Sequence, residues 1–367
     1  MNATLRRLAA LLLLPILAGC GGGPTVVPSG CLTTGAVGGA SAACATPSAQ
    51  ATGASAPGSA AASTRLVVGL GYIPSIQFAP FYLAQQKGYY AAAGLDVTFQ
   101  NGNDADLITL VGQGTVDIGL ADGTSVIPAV AQGFPVRYVA TIYAKFPNIV
   151  FTKASSGITT VADLKGRKLG TPGKYGSSWI MLQALLGSAG LKPSDVDIQL
   201  YPDYGQGAAL GQGAIDAATG FVNNEPVQLA LAGTPTTTLA VDSILPLPGN
   251  GLIAGVDTLA KKHDALKAFV AATLRAMTEI TADPNVAVDA SLAQAPTLVG
   301  TDKATLLAVL KATIGTWSDD YRAAHGLGAI DQAAWQTTAT FMVGLKDGTV
   351  ASAPPIGQLV DTSLLGP

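Results

Sequence analysis

The chain has 367 residues, 49% of them hydrophobic, 6% aromatic and 12% charged, with a formal net charge of -3. That weakly acidic balance, with no basic stripe anywhere, excludes nucleic acid as a partner. The two histidines, His263 and His325, have no spaced carboxylate or cysteine companions, and Asp319 and Asp320 are adjacent and face apart, so no metal site, triad or acid–base pair is visible.

At the N-terminal end, Arg6 and Arg7 give a short positive region, residues 8–16 an apolar run too short to span a bilayer, and Leu17-Ala18-Gly19-Cys20 small residues before a cysteine. The four-residue motif resembles the lipobox of bacterial lipoproteins. The resemblance implies a signal peptide over 1–19, Cys20 as the acylated N-terminus, and a place on the outer face of the cytoplasmic membrane or in the periplasm. Residues 21–63 carry no charged and no aromatic side chain. Such a segment cannot bury enough apolar surface to offset its ordering entropy, so 20–64 is expected to be a disordered tether. Cys31 and Cys44 within it either pair in an oxidising compartment or stay free thiols.

Residues 65–367 are long enough for two lobes, and strand-like runs alternate with helical periods, the pattern of an α/β fold with largely parallel strands. A strand is expected over 65–71, a helix over 80–93 ended by Gly94, and a strand over 95–99. The order recurs as a strand over 168–171, a helix over 177–189, Gly190-Leu191 and a strand over 196–200. Gly112-Gln113-Gly114-Thr115-Val116-Asp117 also lines up with Gly211-Gln212-Gly213-Ala214-Ile215-Asp216, each a helix stop followed by a short strand. The expected lobes are 65–151 with 256–367, and 152–255. Crossings are expected near 152–157 and 246–255. Ligands of open α/β sheets bind outside the carboxyl ends of the strands, so loops 71–78, 121–125, 172–178 and 221–225 are expected to face a solute between the lobes.

Gly71-Tyr72-Ile73-Pro74, Gln77-Phe78-Ala79-Pro80-Phe81-Tyr82-Leu83-Ala84, Lys87-Gly88-Tyr89-Tyr90 and Gly94-Leu95-Asp96-Val97 resemble the opening of the periplasmic binding proteins for taurine, sulfonates, nitrate, thiamine pyrimidine precursors and riboflavin. Asp163-Leu164-Lys165-Gly166-Arg167-Lys168-Leu169-Gly170 is similar to the segment entering their second lobe. The resemblance implies a type II periplasmic-binding-protein fold, a monomer serving an ABC importer permease, and neither catalysis nor a cofactor. Pro172-Gly173-Lys174-Tyr175-Gly176-Ser177-Ser178 and Asn223-Asn224-Glu225-Pro226 most resemble the riboflavin-binding branch, whereas 74–80 also resembles the thiamine-pyrimidine branch. No run of cysteines like that of the fungal pyrimidine synthases is present. Menaquinone-pathway enzymes share this kind of fold, so an enzyme remains an alternative by analogy alone.

The loops carry chemistry of their own. Tyr72, Phe78, Tyr143 and Tyr175 are the candidates to stack on a flat heteroaromatic solute, while the helical positions of Phe81, Tyr82 and Trp179 suit the core. Ser177 and Ser178 stand at a helix start, where they cap it, donate to a ligand, or do both. Asn223, Asn224 and Glu225 could read a ring's hydrogen-bonding edge, a purely structural Asn pair being the other possibility, and Gln77 is a further candidate to bind the ligand. Asp122 and Ser125 would contribute from the opposite lobe. Lys174 is the one cation in the four loops, whereas a sulfonate or nitrate asks for concentrated positive charge, so a neutral planar solute fits better.

Overall fold

A computed structural model describes residues 63–366, apart from Ser243 and 346–349. The expected signal, tether and lipidated Cys20, with Cys31 and Cys44, lie outside the described residues. Ten strands form two sheets: β1 (Thr64–Leu70), β2 (Leu95–Asn101), β3 (Ile118–Asp122), β4 (Val136–Thr141), β5 (Asn148–Lys153), β6 (Lys168–Thr171), β7 (Asp197–Leu200), β8 (Ala217–Phe221), β9 (Thr236–Ala240) and β10 (Asn250–Gly255). Their orders are β2-β1-β3-β10-β4 and β7-β6-β8-β5-β9. Both follow one plan. β1 pairs in parallel with β2 and β3, and β6 with β7 and β8, while β10 and β5 run antiparallel in the fourth position of their sheets. Each antiparallel strand is supplied by chain that has just crossed from the other lobe.

The duplicated Gly-Gln-Gly segment has a physical cause. Helices Asp104–Gly112 and Gln206–Gln212 are followed by Gly114 and Gly213 at φ 73° and 79°, a left-handed turn that glycine adopts without strain. Three residues later Asp117 and Asp216 each accept a backbone N–H of the neighbouring strand, from Val67 and Lys168, both at 2.9 Å. The paired aspartates thereby fix the register of β3 and β8, whose carboxyl ends open toward the other lobe.

Helices cover both faces of each sheet, as buried parallel strands require. In the first lobe Leu66, Val68 and Leu70 of β1 pack with Phe81 and Tyr82 of helix Ala79–Gln86 and with Phe269 of the long helix Val256–Ala282. The other face gathers Val111, Ile127, Tyr138 and Trp335. In the second, Val150 and Leu169 meet Met181, Leu182 and Leu185 of helix Gly176–Ser188, with Phe151, Leu210 and Ile215 on the reverse. No helix of the described residues is long and apolar enough to cross a membrane.

Two expectations need correction. The helix expected over 80–93 is two, Ala79–Gln86 and Tyr89–Ala92, because Gly88 between them takes φ 69° and interrupts the ladder. The crossings also sit earlier than 152–157 and 246–255. β5 already belongs to the second sheet and β10 to the first, so the chain crosses at 142–147 and 241–249. An apolar run such as 148–153 announces a strand but not the sheet that receives it.

The two crossings touch. Ile142 and Tyr143 both donate to the carbonyl of Asn250, at 3.1 and 2.8 Å, and a Cβ at Gly249 would stand 2.3 Å from the Tyr143 carbonyl oxygen. Backbone cannot yield as a side-chain tip would. Gly249→Ala is therefore expected to lower stability by about 1–3 kcal/mol. Gly187→Ala, on an exposed helical site with nothing within 4 Å, should instead be neutral or stabilising by up to about 1 kcal/mol. Urea midpoints of the two variants check the contrast.

Candidate functional site

Loops from both lobes enclose a cleft with about 900 Å³ of space between its walls, part of it open to solvent. All four strand-end loops expected from the sequence reach it. Gly71, Tyr72, Gln77 and Phe78 follow β1, Asp122 ends β3, Tyr175, Ser177 and Ser178 follow β6, Phe221 ends β8, and Asn224 and Glu225 follow it. Tyr143 joins them from the first crossing.

The rings of the aromatic wall differ in burial and in their partners. Tyr72 meets Tyr204 edge-on, ring centroids 4.8 Å apart at 75°. Gln228 donates to Asn224 Oδ1 at 2.7 Å, which leaves the Asn224 amide nitrogen for its hydrogen bond with the Tyr72 hydroxyl. Burial and then the Glu225 carboxylate hold the Tyr72 phenol well above its ordinary pKa. Tyr143 is buried in the first-lobe core and tied to Asn223 and Thr313, so only part of it faces the cleft. Tyr175 is 50% exposed, between Gly173 and Gly176, and a Cβ at Gly173 would lie 2.1 Å from its ring. Glycine there lets the ring fold down on the chain.

Polar groups close the cleft floor across the lobes. Ser177 Oγ donates to Asp122 Oδ2 and accepts from Asn148 Nδ2 at 2.6 Å. Asp122 also shares a hydrogen bond with the Asn250 side chain, yet burial outweighs both bonds and pushes its pKa up to about 6. Helix Gly176–Ser188 begins one residue before Ser177 and has no side-chain cap. The hydroxyl expected to cap it reaches across to the other lobe instead. Glu225 Oε2 accepts the Phe221 N–H at 2.9 Å, and burial raises its pKa. The carboxylate thus closes its own loop from inside the wall, with Gly207 and Gly220 making room for it.

Asn223 and Ser125, both expected in the site, are not on the cleft wall. Asn223 is 1% exposed, and its Nδ2 donates to Gln77 Oε1 at 3.0 Å and Thr313 Oγ1 at 2.8 Å, which makes it a clasp between lobes. Ser125 lies one turn into helix Gly123–Ala131 and faces a neighbouring groove beside Trp179, which Lys174 also lines. No lysine or arginine is among the described residues lining the cleft itself. Besides Tyr143, four polar wall residues lie outside the expected loops: Asn103, Tyr204, Gln206 and Asn250. Asn103 and the pair Tyr204 and Gln206 occupy equivalent places, around the starts of the helices that follow β2 and β7. The duplicated plan was the signal for them.

A protein-family model described as "NMT1/THI5 like" matches residues 75–287. The riboflavin-binding protein RibY of Chloroflexus aurantiacus is 34% identical over 300 residues, 81% of this chain and 85% of that protein. A 4-amino-5-hydroxymethyl-2-methylpyrimidine phosphate synthase of Saccharomyces cerevisiae, THI13, is 30% identical over 236 residues, 59% of this chain and 66% of that one. Among solved structures, the periplasmic aliphatic sulphonate binding protein SsuA of Escherichia coli superposes with a TM-score of 0.61 at 20% identity, over 81% of this chain and 97% of its own. The periplasmic nitrate-binding protein NrtA of Synechocystis gives 0.58 at 14%, over 82% and 87%. At those identities the structures speak for the fold, that of periplasmic binding proteins. The family model and the RibY alignment, each spanning more than half of the sequence, place this chain in the NMT1/THI5-like family.

Proposed function

We propose that the protein is an extracytoplasmic, lipid-anchored solute-binding protein that captures riboflavin between its lobes and delivers it to an ABC importer. The observation that carries this is the cleft wall: several tyrosine rings, no cation among the described lining residues, and two carboxyls whose pKa values burial raises. Such a wall suits a neutral planar ring, which stacks on tyrosine and hydrogen-bonds at its edge. A sulfonate or nitrate would meet acidic groups where it needs arginine. The similarity to a riboflavin-binding protein supports the choice of ring. A thiamine pyrimidine precursor, the formyl aminopyrimidine, is the second reading, favoured by the similarity to pyrimidine phosphate synthases and by a wall rich in acceptors for an amino group. A binding protein rather than an enzyme fits a cleft whose carboxyls are engaged with neighbouring residues of the wall.

Riboflavin fluorescence is expected to quench on titration with the protein, because a tyrosine stacked on the ring opens a non-radiative route. Undiminished fluorescence at saturating protein would overturn the flavin assignment. Cys20→Ala should move the protein from the membrane fraction to the soluble one, since the Leu-Ala-Gly-Cys motif is the proposed anchor. Retention of the variant in the membrane fraction would contradict that anchor.

A further inference from the structure

We propose that Gln206 determines specificity in the cleft: its Oε1 accepts a hydrogen bond from a ring N–H of the ligand, and ligands lacking a donor there are rejected. The proposal rests on the riboflavin reading and deepens it, because an isoalloxazine presents one such donor, the imide N3–H.

Gln206 is 2% exposed and opens helix Gln206–Gln212 at the carboxyl end of β7. Its Nε2 donates to the Thr219 carbonyl at 3.1 Å. A carbonyl can only accept, so this bond fixes which end of the amide is nitrogen and turns Oε1 the other way. Oε1 is buried without a hydrogen-bond partner, and the residue lines the cleft. The position is built closely. A Cβ at Gly170 on the neighbouring strand would lie 2.9 Å from Gln206 Cβ, so glycine is what allows the side chain to seat there.

Tyr204, two residues earlier, has φ 61°, the one positive φ among the described non-glycine residues. Tyrosine rarely adopts that conformation, and here it aims the ring at Tyr72. One short loop therefore supplies both a ring and an acceptor. Asn250 Oδ1, on the first-lobe wall, is a second buried acceptor without a partner, its side chain being held by Asp122.

A buried acceptor left unpaired costs free energy that a ligand N–H removes and a methyl group does not. Discrimination of that kind is strong because the wrong ligand strands a protein group. The test titrates wild-type protein and Gln206→Leu with riboflavin and with 3-methylriboflavin, in which a methyl replaces the N3 proton. Wild type is expected to prefer riboflavin by about 10- to 100-fold, and Gln206→Leu to bind both within about 3-fold of each other. Equal binding of the two flavins by wild type would overturn the proposal, even if the variant failed to fold. So would preference that survives in the variant. If riboflavin does not bind wild type at all, the ligand assignment fails first and the proposal falls with it.

Discussion

Tyr72→Ala is expected to weaken riboflavin binding by about 1–3 kcal/mol, the sum of lost stacking and lost ring burial. The effect should be large because the ring is held in place: Tyr204 packs against it in a T-shaped pair with centroids 4.8 Å apart, and Asn224 holds its hydroxyl. A pre-positioned ring loses little entropy when the ligand arrives. Tyr175→Ala makes the informative comparison. That ring is 50% exposed before a ligand is present, so its removal should cost almost no stability and appear in binding alone. Calorimetric affinities and urea midpoints for both variants separate the two contributions. Wild-type affinity in Tyr72→Ala would mean that the ligand does not touch this wall.

Acidification should tighten binding. Ser177 reaches across the cleft to Asp122, and burial there pushes the carboxyl pKa up from 3.8 to about 6; opening of the lobes to admit a ligand is expected to expose it. With the lobes apart the carboxyl meets water and returns toward its ordinary value. Above about pH 6 it is ionised in both states and closure bears the full desolvation cost, at most about 3 kcal/mol for a shift of roughly two units. Between about pH 6 and pH 4 the closed state binds a proton that the open one does not, so closure grows more favourable as pH falls. The expected gain is about 10-fold in affinity between about pH 7.5 and pH 5. Glu225, also raised by burial, adds in the same direction, whereas the raised phenols of Tyr72, Tyr138 and Tyr143 do not titrate in this window. Asp122→Asn isolates the first carboxyl: it should bind more tightly than wild type at about pH 7.5 and lose most of the slope. Affinity that falls on acidification in wild type would contradict the account.

Much of the fold was legible because period and punctuation agree. β1, β2 and the Gly-Gln-Gly repeats are signalled by alternating apolar residues and by glycines whose positive φ the structure confirms. Which sheet receives β5 was not legible, since a buried strand looks the same in either lobe. The loops of the site were readable from strand order, but the direction of each side chain was not. Asn223 and Asn224 are neighbours, yet one is a clasp on Gln77 and Thr313 and the other stands behind Tyr72. Ser125 was expected in the cleft from its loop and is turned away by helix Gly123–Ala131. Tyr204 and Gln206 were passed over because their loop follows β7 and carries no family motif that would mark it as part of the site. The loop's left-handed residue is a tyrosine rather than the glycine that would have announced it.

The most direct test of the central claim, that the cleft holds a neutral heteroaromatic ring between its tyrosines, is calorimetric titration of the protein with riboflavin, the formyl aminopyrimidine and taurine in parallel. The account predicts saturable heat from riboflavin at one ligand per chain, weaker heat or none from the pyrimidine, and none from taurine. Heat from taurine alone would contradict both the ligand and the aromatic, cation-free wall on which it rests.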